Sequence, residues 1–358
     1  MKFNRTIHLS GGRVLGDRQP CFIIAELSGN HNGQLSRALE LTNAAHKAGA
    51  DAVKLQTYTA DTMTIESDQP YFRITGDNAW RGRTLYDLYQ EAATPWEWHK
   101  ALFAEARRLG LEVFSTPFDE TAVDFLTELD VNLHKIASFE LTDHELVRRV
   151  ARTGKPVIMS TGMASPEEIT ESVNVFAETG NRSLILLKCT SAYPSPLSEM
   201  NVRAMTTLSE LAGTPVGLSD HCLTDHAAVA AVSLGACVIE KHLTLSRADG
   251  GPDASFSLEP EEFQKMVSAI RETEEVLGSG ILRRGATEAE NTVFRRSVFA
   301  VADIPAGSAL TPKNIRVIRP GHGLQPKYYL SVLGRTAKVA ISRGTPISWE
   351  LLEDVSRA

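Results

Sequence analysis

The chain has 358 residues, 42% of them hydrophobic and 23% charged, enough for one large globular domain and a smaller one. Its net charge of −7 is spread along the chain and disfavours a nucleic-acid partner, and no apolar run approaches the roughly 18 residues that cross a bilayer. Residues 1–7 lack a signal-peptide core and the four cysteines form no C-x-x-C pair, so a reduced, cytoplasmic setting without disulfides or membrane is expected.

Residues 1–20 read as an N-terminal hairpin. Eight short β-rich runs then follow, at 22–27, 52–58, 112–118, 133–138, 156–162, 184–191, 215–220 and 237–243. Their nearly continuous apolar character marks strands buried on both faces, as in a parallel sheet. Amphipathic stretches with helical spacing separate them, for example Leu35, Ala38, Leu39, Thr42, Ala45 and Ala48. Thr94-Pro-Trp-Glu97 and Ser165-Pro-Glu-Glu168 both predict a helix start with an N-cap, a first-turn proline and an acid at the third position. Gly49, Gly110, Gly154 and Gly235 sit where helices should stop.

Eight βα units predict an α/β fold, a closed (β/α)8 TIM barrel over residues 1–284. A doubly wound sheet would gather its chemistry at one switch point. Here polar residues close nearly every run: Glu26, Lys54, Gln56, Thr116, Lys135, Ser138, Ser160, Lys188, Ser219, His221, Glu240 and His242. Such a ring is what the C-terminal face of a barrel presents.

Two segments stand outside the repeat. Residues 59–93, rich in Arg, Tyr and Trp, form an insertion long enough to serve as a lid or substrate wall. From 285 to 358 short strands and Gly/Pro turns predict a small β-rich domain. Within it the segment 304–315 echoes 341–352, each with Ile-x-x-Gly, an apolar residue, a hydroxyl and a short capped helix. That echo predicts pseudo-twofold symmetry.

Lys54, Lys135 and Lys188 come from alternate strands and are expected to converge, their repulsion relieved by a polyanion such as a phosphate with a carboxylate. Thr116, Ser138, Ser160 and Ser219 would donate hydrogen bonds to it. His221 and His242, each closing an apolar run, offer imidazoles to a divalent metal whose remaining positions take water or a carbonyl. Glu26 stands beside the anion site and could exchange protons or orient the lysines. Cys21, Cys189 and Cys237 read as small buried hydrophobes and Cys222 as a packed loop thiol.

Together these residues resemble the sialic acid synthase family, enzymes that condense phosphoenolpyruvate with an amino-sugar aldehyde. The motifs that carry the resemblance are Ile24-Ala-Glu-Leu-Ser-Gly-Asn-His-Asn-Gly33, Ala50-Asp-Ala-Val-Lys-Leu-Gln-Thr57, Ser115-Thr-Pro-Phe118, Lys135-Ile-Ala-Ser138, Ser160-Thr-Gly162, Leu218-Ser-Asp-His221, Glu240-Lys-His242 and Gly251-Pro-Asp253. The tail resembles the family's antifreeze-like SAF domain through Phe294-Arg-Arg-Ser-Val298 and Arg319-Pro-Gly321. The resemblance implies that His221 and His242 hold manganese or magnesium, and that Lys54, Thr116, Lys135, Ser138, Ser160 and Ser219 bind phosphoenolpyruvate. It also implies proton transfer by Glu26, and sugar contacts from Gln56, Glu140, Tyr193, Glu240 and Asp253. A domain-swapped homodimer is implied, in which Arg319 reaches the partner's barrel.

Within the family, residues 71–99 resemble the pseudaminic branch through Trp80-Arg-Gly-Arg83, Leu85-Tyr-Asp-Leu-Tyr89 and Thr94-Pro-Trp-Glu-Trp-His99. The implied acceptor is 2,4-diacetamido-2,4,6-trideoxy-L-altrose. A manno-configured sugar, as for N-acetylneuraminate or legionaminate synthases, is the alternative. Two rivals from other classes are a Schiff-base aldolase using a strand-end lysine and an ice- or carbohydrate-binding tail.

Overall fold

A computed structural model of the protein describes residues 2–76 and 80–354, so positions 77–79 of the insertion lie outside the described residues. The chain divides into two compact units, Met1–Gly278 and Ser279–Ala358. The first opens with an antiparallel hairpin of β1 (Thr6–His8) and β2 (Val14–Gly16). Eight strands then form one sheet: β3 (Phe22–Glu26), β4 (Ala52–Thr57), β5 (Glu112–Pro117), β6 (His134–Ile136), β7 (Val157–Ser160), β8 (Leu184–Cys189), β9 (Val216–Asp220) and β10 (Val238–His242).

Neighbours in the sheet run β5-β4-β3-β10-β9-β8-β7-β6, all parallel. Its edge strands β5 and β6 lie against each other, which curls the sheet into the barrel. Strand alternation then sorts side chains into two cores. Ile23, Val53, Val113, Ile136, Leu186, Leu218 and Ile239 face the helices, while Phe22, Ile24, Ala52, Phe114, Ile158, Leu187 and Val238 fill the barrel. Ile7, Leu9 and Leu15 of the hairpin pack into that inner cluster. Each such buried aliphatic or aromatic side chain contributes about 1.5–3 kcal/mol.

Helix Pro166–Glu178 starts as its sequence predicts, with a Ser165 and Glu168 capping box and proline in the first turn. The parallel expectation at Thr94 fails. Pro95 there precedes a 3-10 turn, Trp96–Trp98, and the α-helix begins only at His99. The Thr94 hydroxyl is buried without a hydrogen-bond partner, so it caps nothing. Among the described residues no helix is long and apolar enough to cross a membrane.

In the second unit β11 (Ser297–Ala300) pairs antiparallel with β12 (Ile315–Ile318). The two echoed segments meet at their first residues: Ile304 N–H donates to the Ile341 carbonyl at 2.8 Å, and Ile341 N–H returns the bond at 2.9 Å. Only the second ends in a helical turn, Trp349–Leu351, whereas the first ends in a turn leading into β12.

Candidate active site

The C-terminal ends of the barrel strands bring two lysines and two glutamates together without solvent. Lys54, Lys135, Glu26 and Glu240 are each at most 4% exposed. Period-2 alternation places them: each shares its strand's phase with a barrel-filling residue, Ala52, Leu133, Ile24 and Val238 respectively. Lys54 pairs with Glu26 and lies 3.7 Å from Glu240 Oε2, while Lys135 Nζ lies 3.5 Å from Glu240 Oε1. Hydroxyls complete the cluster. Lys54 donates to Thr116 Oγ1 at 3.1 Å, Lys135 to Ser160 Oγ at 2.8 Å, and Ser219 Oγ to Glu240 Oε1 at 3.0 Å. Ser138 Oγ accepts the Gly162 N–H at 3.0 Å. A Cβ at Gly162 would stand 2.2 Å from Ser191 Oγ and 2.8 Å from Ser138 Oγ, so only glycine permits this approach.

The third lysine does not join them. Lys188 is one residue out of phase with Leu187, which fills the barrel. Its Nζ donates to the Cys189 carbonyl at 3.0 Å and to Thr190 Oγ1 at 2.6 Å. Cys189 takes the inward position instead, with Sγ 4.0 Å from His221 Nδ1, a contact its reading as a plain buried hydrophobe missed. The expected excess of positive charge is also absent, since two carboxylates balance the two lysines.

The two glutamates are driven apart electrically. Burial raises the Glu26 carboxyl above its usual range, and the neighbouring Lys54 opposes this only in part. Burial also acts on Glu240, but Lys135 and Lys54 outweigh it and hold that carboxyl below its usual range. Burial likewise raises Asp253, which accepts the Gly29 N–H at 2.9 Å. Glu140 is raised to about 7 by burial, and its Oε2 has no partner.

His221 and His242 stand with ring centroids 5.3 Å apart. His221 donates from Nδ1 to the Thr190 carbonyl at 3.0 Å, and His242 Nδ1 lies 3.1 Å from Ser28 Oγ. Among the described residues neither Nε2 has a hydrogen-bond partner. Burial, then His221, pushes His242 well below the usual imidazole range, toward the neutral form that ligates metals. His221 is raised, because Cys189 and Thr190 outweigh its burial. Among the described residues no cluster of three or more His, Cys, Asp or Glu could hold a metal. Two imidazoles with Nδ1 tied and Nε2 open nevertheless suit a divalent cation that keeps water or substrate in its other positions.

Over these histidines lies an aromatic wall. Tyr193 packs 4.4 Å from the His221 ring and Phe256 lies 5.0 Å from His242. Trp80, from the insertion, lies 5.3 Å from Tyr193 and donates from Nε1 to the Pro252 carbonyl at 2.7 Å. Ser28, Phe256 and Trp80 were not singled out as site residues from sequence. Ser28 carries a signal in following strand-end Glu26 by two residues, and Trp80 carries one in lying within the insertion read as a substrate wall. Gln56 is half-buried opposite Thr116 in register. Arg319 belongs to the second unit, where it lines a concavity of about 750 Å³ with Arg284, Arg295, Arg296 and Phe294.

The chain matches the NeuB family over residues 41–282 and a SAF domain over residues 295–353. It is 46% identical to a pseudaminic acid synthase of Campylobacter jejuni, covering 90% of this chain and 94% of that one. It is 42% identical to a pseudaminic acid synthase of Helicobacter pylori, covering 94% and 98%. Among solved structures it resembles an N-acetylneuraminic acid synthetase from Leptospira borgpetersenii, with a TM-score of 0.72, 32% identity, and coverage of 81% of this chain and 96% of that one. With its barrel and its tail each matched, the chain belongs to the NeuB family and carries that family's barrel followed by a SAF domain.

Proposed function

We propose that the chain condenses phosphoenolpyruvate with 2,4-diacetamido-2,4,6-trideoxy-L-altrose to give pseudaminic acid and phosphate. The observation that carries this reading is the buried pair Lys54 and Lys135, ringed by hydroxyls, beside two imidazoles whose Nε2 atoms are open. Likeness to two pseudaminic acid synthases along most of the chain supports the choice of sugar.

Lys54 and Lys135 hold the carboxylate and phosphate of phosphoenolpyruvate, with Thr116, Ser138, Ser160 and Ser219 donating hydrogen bonds. A divalent cation, manganese or magnesium, held by His221 and His242 would supply Lewis-acid polarisation of the aldehyde oxygen. Carbon 3 of phosphoenolpyruvate attacks the aldehyde carbon, water adds at carbon 2, and the bond from carbon 2 to the phosphate oxygen breaks. One C–C bond forms, one water is consumed and one phosphate leaves. Glu26, with its raised affinity for a proton, passes protons at this centre. Gln56, Glu140, Tyr193, Glu240 and Asp253 face the sugar, and Trp80, Tyr193 and Phe256 offer apolar surface to its methyl and acetamido groups. In a homodimer, Arg319 of one copy serves the sugar site of the other.

The test is phosphate release by purified enzyme given manganese, phosphoenolpyruvate and a panel of amino sugars. Turnover only with N-acetylmannosamine would overturn the sugar and leave the condensation standing. Activity that survives a chelator, with borohydride trapping of a keto substrate on Lys54 or Lys135, would favour a Schiff-base aldolase instead.

A further inference from the structure

One buried ion pair has no task in this chemistry. Asp220 of β9 and Lys241 of β10 are register partners. Both lie in the helix-facing phase of their strands, because Ser219, Glu240 and His242 take the inward phase. Both side chains are 0% exposed, with Lys241 Nζ 2.6 Å from Asp220 Oδ2. The ammonium also donates to the Thr224 carbonyl at 3.2 Å and to the Cys222 carbonyl, while Asp220 Oδ1 accepts the Cys222 N–H at 2.9 Å. The residue before His242 thereby ties down both the residue before His221 and the loop after it.

In register with this ion pair, the helix-facing residues of β3, β4 and β5 are Ala25, Val53 and Val113, all apolar and buried. A dry ion pair adds little stability over an apolar pair of the same size. Charge at this one height must therefore do something that apolar packing does not. Its donors and acceptors have direction, and they are spent on the backbone leaving His221.

We propose that Lys241 and Asp220 are positioning residues that clamp His221 at a set spacing from His242, so that the two imidazoles are ready for a divalent cation before it arrives. This rests on the metal-binding reading of the histidine pair. It separates the clamp from the phosphoenolpyruvate lysines, which the pair does not touch. The clamp acts on metal affinity and leaves binding of the enol phosphate alone.

The test is titration of the metal-free full-length enzyme with Mn²⁺, free manganese being read by electron paramagnetic resonance without either substrate. The double variant D220N/K241M removes both charges together, so no lone buried charge remains, and its melting temperature reports folding. The expected result is a folded variant with Mn²⁺ affinity lowered about 10- to 100-fold and phosphoenolpyruvate affinity within twofold of wild type. Wild-type Mn²⁺ affinity in the folded double variant, with affinity lost in His221→Ala, would overturn the clamp and leave the metal site standing. Unchanged affinity in His221→Ala would remove the metal reading itself. Should the double variant not fold, hydrogen exchange on the wild type decides. The Cys222 amide is expected to be protected before Mn²⁺ is added; protection that appears only with Mn²⁺ would overturn the clamp.

Discussion

His242 and Glu26 are register partners on β10 and β3, so an imidazole and a carboxylate enter the barrel mouth at the same height. Ser28, just past Glu26, closes the link from the other side by meeting His242 Nδ1 at 3.1 Å. A group suited to proton exchange and a group suited to metal ligation are thus held by one pair of hydrogen-bonded strands. Glu26→Gln keeps the shape, but its single amide oxygen can serve only one of Lys54 and the Ser28 N–H, and the titrating proton is gone. Its kcat is expected to fall about 10²- to 10⁴-fold, with KM for phosphoenolpyruvate changing only a few-fold. Steady-state kinetics decide this, and a kcat within threefold of wild type would remove Glu26 from proton transfer.

The lysines give a paired prediction. Lys135→Met strips Glu240 of one partner and the anion site of one charge, so KM for phosphoenolpyruvate should rise about 100-fold or more. Lys188→Met, one residue out of the inward phase, should leave that KM within about threefold. Equal effects of the two substitutions would show that charge near the mouth matters and position does not.

Trp80 is the insertion's reach toward the histidines, through Tyr193. Trp80→Ala deletes the indole and its bond to the Pro252 carbonyl. KM for the sugar is expected to rise about tenfold while KM for phosphoenolpyruvate holds, a split that kinetics with each substrate varied in turn will resolve. A rise in both would place the tryptophan in general lid closure.

His134 is fully buried on the helix-facing side of β6, and neither ring nitrogen has a hydrogen-bond partner. Burial, then Lys155, lowers it from the ordinary 6.5 to about 4. A depressed value means that its neutral form stabilises the fold above pH 6.5, and that this contribution is lost as pH falls toward 4. His134→Leu should therefore be stabilising at pH 7 by about 1 kcal/mol, with the gain growing by about 2 kcal/mol at pH 5. Thermal melts at the two pH values check the slope, and a gain that does not grow on acidification would mean that water or another group serves the imidazole.

The barrel was readable because strands buried on both faces leave long apolar runs that survive Lys54 and Lys135 in mid-strand, and because Glu26 and His242 interrupt their runs only at the ends. The error over Lys188 and Cys189 has a simple physical origin. Both close an apolar run, and only the phase set by Ile185 and Leu187 tells which of the two turns inward. The Thr94 start failed because two tryptophans follow Pro95 in a 3-10 turn whose packing local sequence does not reveal. Trp80 was legible as part of a substrate wall, but its contacts eluded the reading for a deeper reason. Its meeting with Tyr193 and Pro252 joins chain segments more than a hundred residues apart, and no local periodicity encodes such a contact.

The reciprocal bonds between Ile304 and Ile341 carry a consequence for how the tail can be divided. Its core draws Val298, Ile304, Leu310 and Ile315 from one half and Ala337, Ile341, Ile347 and Leu352 from the other. Neither half buries enough apolar surface to stand without its twin. The tail should consequently melt as an all-or-none module, and a stop codon anywhere between the two isoleucines would cost the cell the entire tail.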